Sequence, residues 1–394
     1  MLNKAQSIKD FIVNARRDIH RQPELGYQEV GTAKYVASHL DAMDVSYKTG
    51  FAKTGIVAEI TKGNGPIVLL RADMDALPIQ EDTGLDFQSK TPGVMHACGH
   101  DTHTAMLLGA INILKDESFS GTLRFLFQPA EEGNYDDPDG FSGAQRMIVE
   151  GVIDDVDAAI GLHQIPTMES GTIAIITGSV MAAADFFEIT IAGKSAHAGV
   201  SPEAGIDAVV ISAELIMSLQ TIVSRHVSPK DTAVVSVSTI EGGSAANIVA
   251  EKVWLTGTIR ALNEATREKV LDLIQIRCDS FAKMYNTTID LKFYYSVPVT
   301  VNNAEVSQIA RNSAGKIFGE KKVLHDVSIM GGEDFAYIAQ KVPSCFALLG
   351  TQITDGDVHP LHSPKMVINE EALPMGAAYL AQTALDLLNE TTSK

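Results

Sequence analysis

A chain of 394 residues is longer than one ordinary hydrophobic core supports, so two domains, or one domain with a large insertion, are expected. Its composition, 45% hydrophobic and 20% charged, is that of a folded globular protein and excludes disorder. A formal net charge of −18, with no large Lys/Arg cluster set against it, repels a phosphate backbone, and no nucleic-acid partner is expected.

The opening stretch MLNKAQSIKDFIVNARRDIH interleaves charges with apolar groups and holds no apolar region of signal-peptide length. No run of 18 apolar residues follows, so no membrane partner is expected, and the cytoplasm is the expected location. Residues 7–21 predict an amphipathic helix, and a second helix follows the turn at Pro23–Gly26. GIVAEI and PIVLLRADMDALP predict strands, the second reaching Asp73 and Asp75. HTAMLLGAINIL predicts a helix, GTLRFLFQPAEE a buried strand that ends in Glu131 and Glu132, and DAAIGLHQIP an apolar run that arrives at His163. Strands alternating with helices predict an α/β domain with a mixed, largely parallel sheet flanked by helices.

From about residue 181 the texture changes. AADFFEITIAGKSAHAG, TAVVSVSTIEGG, KVWLTGTIRAL and TTIDLKFYYSVP predict strands, and two long helices lie among them. The β-α-β-β-α-β order is the ferredoxin-like plan. Residues 181–294 are therefore expected to form an inserted α+β domain between two parts of the catalytic domain, 1–180 and 295–394. Cys98, Cys278 and Cys345 are odd in number and widely spaced, which argues against a disulfide framework.

The stretch MHACGHDTHTAML, residues 95–107, concentrates His96, Cys98, His100, Asp101 and His103 just before the predicted helix. Gly99 lets the backbone bend so that Cys98 and His100 face one point, and thiolate with imidazole suits Zn, Mn or Co better than Mg or Ca. Together with Glu132, His163 and the late His362 of VHPLHSPKM, they meet the ligand demand of a two-metal site. Ligands gather outside the carboxyl ends of strands in open α/β sheets, so these distant residues are expected to share one crevice. Adjacent side chains in extended chain point opposite ways, so of Glu131 and Glu132 one can bind metal while the other addresses a water. His96 and His103 flank the cluster and stay outside the ligand set. His197 of GKSAHAG, Asn247 of GGSAANIV and Arg260 of GTIR are either surface residues or binders of an oxyanion or carboxylate.

Read in order, RRDIHRQPELGYQE, RADMDALPI, MHACGHDTHTAMLLGA, FLFQPAEEG, GLHQIP, GKSAHAG, NIVAE, GTIR, MGGEDFA and LHSPKM resemble the zinc-dependent aminoacylase and carboxypeptidase G metallopeptidase family. The resemblance is to its amidohydrolase branch, which holds hippurate hydrolases, N-acyl-L-amino acid amidohydrolases and auxin-conjugate hydrolases. It implies a zinc-peptidase-like catalytic domain with two divalent metal ions per chain, Mn or Zn, with Co or Ni as further options. It also implies an inserted lid through which such chains form homodimers or higher oligomers. Carried over by position, Cys98, His100, Glu132, His163 and His362 would be metal ligands, Glu131 the general base, and Asp75 the acid that orients or polarises the metal centre. His197 would stabilise the oxyanion, within the chain or across a dimer. Asn247 and Arg260 would hold the substrate carboxylate or carbonyl, and Gly331 and Gly332 would line the pocket floor. The implied reaction hydrolyses the amide of a small N-acyl-L-amino acid (N-acetyl, benzoyl or similar) to a free amino acid and a carboxylic acid. A metallo-dipeptidase or carboxypeptidase of the same fold, or a catalytically silent binding relative, are the alternatives. One departure bears on substrate scope: an acidic loop at 134–142 follows Glu132 where the family runs straight into a small-residue helix.

Overall fold

The computed structural model describes residues 1–133 and 137–392. Asn134, Tyr135 and Asp136, part of the acidic loop anticipated at 134–142, lie outside the described residues, as do Ser393 and Lys394. In chain order the elements are α1 (Leu2–Ser7), α2 (Lys9–His20), α3 (Val30–Ala42), β1 (Ser46–Phe51), β2 (Gly55–Lys62), β3 (Ile67–Asp73), α4 (His100–Leu114), β4 (Gly121–Gln128), α5 (Gly143–Val149) and β5 (Ala158–Ile165). Next come β6 (Ile173–Ala174), β7 (Gly178–Met181), β8 (Ala183–Ala192), α6 (Ala208–His226), β9 (Ala233–Gly242), β10 (Lys252–Ala261), α7 (Glu264–Met284) and β11 (Ile289–Val297). The chain finishes with β12 (Thr300–Asn302), α8 (Ala304–Phe318), β13 (Val323–Leu324), α9 (Phe335–Ala339), β14 (Ser344–Gly350) and α10 (Leu373–Thr392).

Two compact units divide these elements. The first comprises Met1–Val180, Val301–Val327 and Asp334–Lys394. Its eight-stranded sheet runs β1-β2-β4-β3-β5-β14-β6-β13, with β4, β3, β5 and β14 parallel at the centre and β1 and β2 antiparallel at one edge. Centre and edge differ because the sequences differ. IVLLRAD of β3 and AAIGLHQI of β5 are apolar on both faces, as strands covered on both sides must be, whereas SYKTGF of β1 is mostly exposed.

Helix α4 is apolar all round, and every one of its residues except Asn112 is buried, which is the behaviour expected of a helix inside a core rather than on its surface. It packs against α2 and α10. It also starts at His100, a full turn before HTAMLLGAINIL suggests. Gly99 adopts φ +91°, and its carbonyl accepts from both the N–H and the hydroxyl of Thr102, so the helix is initiated right at the turn that carries Cys98.

The second unit comprises Met181–Thr300 with Ser328–Glu333. Strand β11 continues to Val297, past the anticipated end at 294, and Ser328–Glu333 rejoins this unit through pairing of Met181 with Ile329. Its antiparallel sheet has the order β11-β8-β10-β9, the ferredoxin-like arrangement, with α6 and α7 over one face. Helix α6 is long and apolar enough to cross a membrane by composition alone, but Ile211, Leu215, Leu219 and Ile222 on its inner face pack into this unit's own core.

Two residues before His163, Gly161 lies so close to Phe346 that a Cβ there would sit 2.5 Å from the ring. Gly161→Ala is expected to destabilise the first unit by about 1–3 kcal/mol through overpacking, measured by urea unfolding followed by circular dichroism.

Candidate metal centre

Strands β3, β4 and β5 deliver their polar residues to one end of the first unit's sheet, and the turn before α4 closes over them. Cys98 Sγ, one imidazole nitrogen of His100 and one of His163 lie within 4.8 Å of one another; the same holds for Cys98, Glu132 and His362, and for His100, Glu131 and Glu132. All five anticipated ligands therefore join through shared members, with Glu131 at the edge of the cluster.

Hydrogen bonds aim the donors. Asp75 accepts His100 Nδ1–H at its backbone carbonyl (3.0 Å) and Oδ1 (3.1 Å), and with Oδ2 it accepts the N–H of Glu132 (3.0 Å). This is the carboxylate–histidine arrangement that orients a metal-binding imidazole and leaves its Nε2 free. His163 donates Nδ1–H to the Gln164 carbonyl (2.6 Å) and turns Nε2 toward Cys98 Sγ at 3.4 Å. The backbone of His362 donates to the Ala97 carbonyl (2.8 Å), and its Nε2 lies 3.1 Å from Glu132 Oε1. Gly99 has no alternative here, because a Cβ would fall 2.4 Å from the Gln164 amide, which itself donates to the Cys98 carbonyl.

Around the cluster many polar atoms are satisfied, although both nitrogens of buried His96 and Oδ1 of Asp101 make no hydrogen bond among the described residues. Arg71, buried, donates to Asp73 (2.6 Å), Asp334 (2.7 Å) and Gln128 (2.8 Å); Asp334 in turn accepts from Ala144 N–H, and its own N–H donates to Glu131 Oε1 (3.3 Å). His103 donates Nδ1–H to Asp73 (2.6 Å) and accepts Gln164 N–H at Nε2 (3.0 Å), so both of its nitrogens are in use although it lies within 4.8 Å of His100 and Asp73. Within the cluster, His100 Nε2 and Glu132 Oε1 are buried and make no hydrogen bond among the described residues, Glu132 Oε1 only facing His362 Nε2. Burying a polar atom without a partner is costly, and a divalent cation is the partner that a histidine nitrogen, a thiol and a carboxylate oxygen share. The residues fit such ions.

The protonation states follow from this geometry. Burial opposes charge on His100, but Asp73, Asp75 and Glu132 outweigh it and raise its pKa to about 10. Burial and the Glu132, Glu131 and Asp73 carboxylates push the Cys98 thiol well up. His163 is driven down, by burial first and then by His103 and His100, and stays neutral. Burial also takes His96 down to about 4.

The structure corrects one piece of sequence geometry. Glu131 and Glu132 do not follow in extended chain: β4 ends at Gln128, and Ala130 takes a left-handed φ of +49°, folding both carboxylates to the same side near His100. Sequence reasoning quoted MGGEDF only for its glycines and missed Asp334; the acidic residue beside an apolar helix start was the available signal. In the second unit, His197 is exposed, pairs with Ile248 and accepts the N–H groups of Gly199 and Val200 (both 3.2 Å), and exposed Asn247 accepts from Ala198 N–H (3.0 Å). Arg260 lies 5.3 Å over the Phe186 ring, and a Cβ on Gly332 would be 3.5 Å from its Nη1, while Gly331 is exposed beside it. His197 with Asn247 and Arg260 with Gly332 thus form two separate groupings within that unit.

Cysteine, histidine and carboxylate donors gathered at the end of a largely parallel sheet make a candidate metal centre of the kind a metal-dependent hydrolase needs. The chain belongs to peptidase family M20/M25/M40, whose pattern matches residues 69–386. It is 39% identical to IAA-amino acid hydrolase ILR1-like 5 of Arabidopsis thaliana, over 100% of this chain and 90% of that one. It is 38% identical to N-acetyl-L-cysteine deacetylase of Bacillus subtilis, over 97% and 89%. Among solved structures it is similar to a Bacillus subtilis dinuclear metal-binding peptidase of the M20 family, with a TM-score of 0.82, 33% identity, and coverage of 98% of this chain and 99% of that one. The protein is a metal-dependent hydrolase of this family.

Metal loading is expected to release protons at pH 7, one from Cys98 and one from His100, because both hold their protons in the metal-free protein while His163 does not. Affinity should therefore weaken as pH falls. Calorimetric titration of the metal-free protein in buffers of different ionisation enthalpy measures the number released.

Proposed function

We propose that the protein is an amidohydrolase that cleaves N-acyl-L-amino acids to a free amino acid and a carboxylic acid. The observation that carries this is the buried pair His100 Nε2 and Glu132 Oε1, neither hydrogen-bonded among the described residues, with the Glu131 carboxylate 3.8 Å from that same nitrogen. Similarity to an auxin-conjugate hydrolase and an N-acetylcysteine deacetylase, both acting on amides of amino acids by their names, favours this substrate class.

In this scheme Cys98, His100, Glu132, His163 and His362 hold two divalent ions, with manganese or zinc the best match to a mixed thiolate, imidazole and carboxylate set. When bound, such ions supply Lewis acidity and an acidified water. Asp75 keeps His100 in the tautomer that offers Nε2. Glu131, steadied by Asp334 N–H, takes the proton from the attacking water and passes it to the leaving amide nitrogen. His197, Asn247 and Arg260 belong to substrate recognition: His197 and Asn247 stabilise the carbonyl oxygen as it becomes negative, and Arg260 binds the substrate carboxylate, with Gly331 and Gly332 leaving room beside it.

The second unit, a lid in this scheme, also pairs two chains. Support comes from its edge strand β9, which exposes Ile240, and from Val209, Val210 and Met217 exposed on α6. Three free, buried cysteines suit a reducing cytoplasm. Light scattering should report a dimer, and Met217→Glu with Ile240→Lys should shift it to monomer.

Glu131→Ala is expected to keep its metals and lose at least about 100-fold in kcat, and Cys98→Ala to lose metal, with metal content measured by mass spectrometry beside the assay. N-acetyl-methionine, hippurate and several dipeptides make the substrate panel. Metal-dependent release of amino acid from the acylated compounds supports the proposal, and cleavage of dipeptides alone would replace it with a peptidase.

A further inference from the structure

We propose that Glu29 is a positioning residue for hydrolysis: its buried carboxylate holds the left-handed turn at Ala130 from which Glu131 and Glu132 project. By sequence Glu29 stands directly before α3, where an acidic residue ordinarily caps the helix. It makes no such cap. The side chain turns inward, fully buried, and accepts the Ala130 N–H at Oε1 (2.9 Å) and the Thr54 hydroxyl at Oε2 (2.6 Å).

A non-glycine residue with φ +49° persists only where its surroundings dictate it. The surroundings of Ala130 do so from three directions. Glu29 holds its N–H, its carbonyl accepts Gly143 N–H (2.9 Å), and Gly26 lies so close that a Cβ there would be 3.1 Å from Ala130 Cα. Gly143 can approach only because it is glycine, since a Cβ would sit 1.7 Å from the Pro129 carbonyl oxygen. Of these contacts, the one from Glu29 is made by a side chain reaching from 101 residues away, and a buried carboxylate is an expensive group to keep for packing alone.

Without that acceptor the Ala130 N–H is left unpaired and the turn relaxes toward ordinary φ. The peptide that follows then rotates, drawing Glu131 away from Asp334 N–H, while the bond from Glu132 N–H to Asp75 Oδ2 (3.0 Å) keeps Glu132 in place. Glu29 makes no hydrogen bond to the groups assigned to the reaction, and although its carboxylate repels that of Asp75, its hold on the backbone that carries Glu131 passes through Ala130. Misplacement of a reacting group by about 1 Å costs up to about 100-fold in rate.

This rests on the assignment of Glu131 as base and Glu132 as ligand, and the test separates the two. Metal content, kcat and KM are measured with N-acetyl-methionine for the wild type, Glu29→Ala, Glu29→Gln, Glu29→Asp and Glu131→Ala. Glu29→Ala is expected to keep its metals and KM while kcat falls about 10- to 100-fold. Glu29→Gln recovers most of that loss, because its amide oxygen still accepts from Ala130 and its amide nitrogen donates to Thr54. Glu29→Asp, one methylene shorter, falls between them and serves if the alanine variant does not fold. Full kcat in Glu29→Ala or Glu29→Asp, no recovery in Glu29→Gln, or a kcat loss matched by metal loss overturns the proposal. An active Glu131→Ala overturns the assignment beneath it, whereas an inactive Glu131→Ala beside a fully active Glu29→Ala overturns Glu29 alone.

Discussion

The first unit keeps a histidine nitrogen and a carboxylate oxygen buried and unpaired at the end of its sheet, His100 Nε2 and Glu132 Oε1. Folding alone disfavours this: the nearest opposite group to His100 Nε2 is Asp73 Oδ2 at 3.7 Å, and Glu132 Oε1 faces His362 Nε2 at 3.1 Å without a hydrogen bond. Asp75 takes the other nitrogen of His100 and the backbone of Glu132. Arg71 engages Asp73 and Asp334, and Asp73 occupies His103. Asp75, Asp73 and Asp334 each spend at least one oxygen on these fixed partners, which holds the donors in place around a position that suits a cation.

The scaffold explains why the donors converge. β3, β4, β5 and β14 are parallel and apolar on both faces, so their polar residues are confined to one end, where the crevice of an open α/β sheet forms. The buried α4 fixes the Cys98–Gly99–His100 turn against Gln164. Charge follows the same logic. Three carboxylates near His100, those of Asp73, Asp75 and Glu132, hold its proton up to about pH 10, so a metal ion bound there would compete with the proton for one nitrogen.

Much of this was legible in the sequence because the cues were local. Apolar runs breaking into acids marked the strand ends, and the cysteine and histidine around Gly99 marked the turn. What was not legible depended on conformation at single residues or on partners far along the chain. Ala130 carries no mark of a left-handed φ, so the direction of Glu131 and Glu132 was misjudged. Glu29 has the position of a helix cap and serves a turn 101 residues away. His103, left outside the expected ligand set, finds its partners 30 and 61 residues away, in Asp73 and the Gln164 N–H. The segment Ser328–Glu333 joins the second unit by a pairing that no periodicity announces.

The most direct test of the central claim is anomalous X-ray diffraction from crystals of the manganese-loaded protein. Two peaks per chain among Cys98, His100, Glu132, His163 and His362 are predicted. A single peak there, or metal bound at other residues with this cluster empty, would contradict the account.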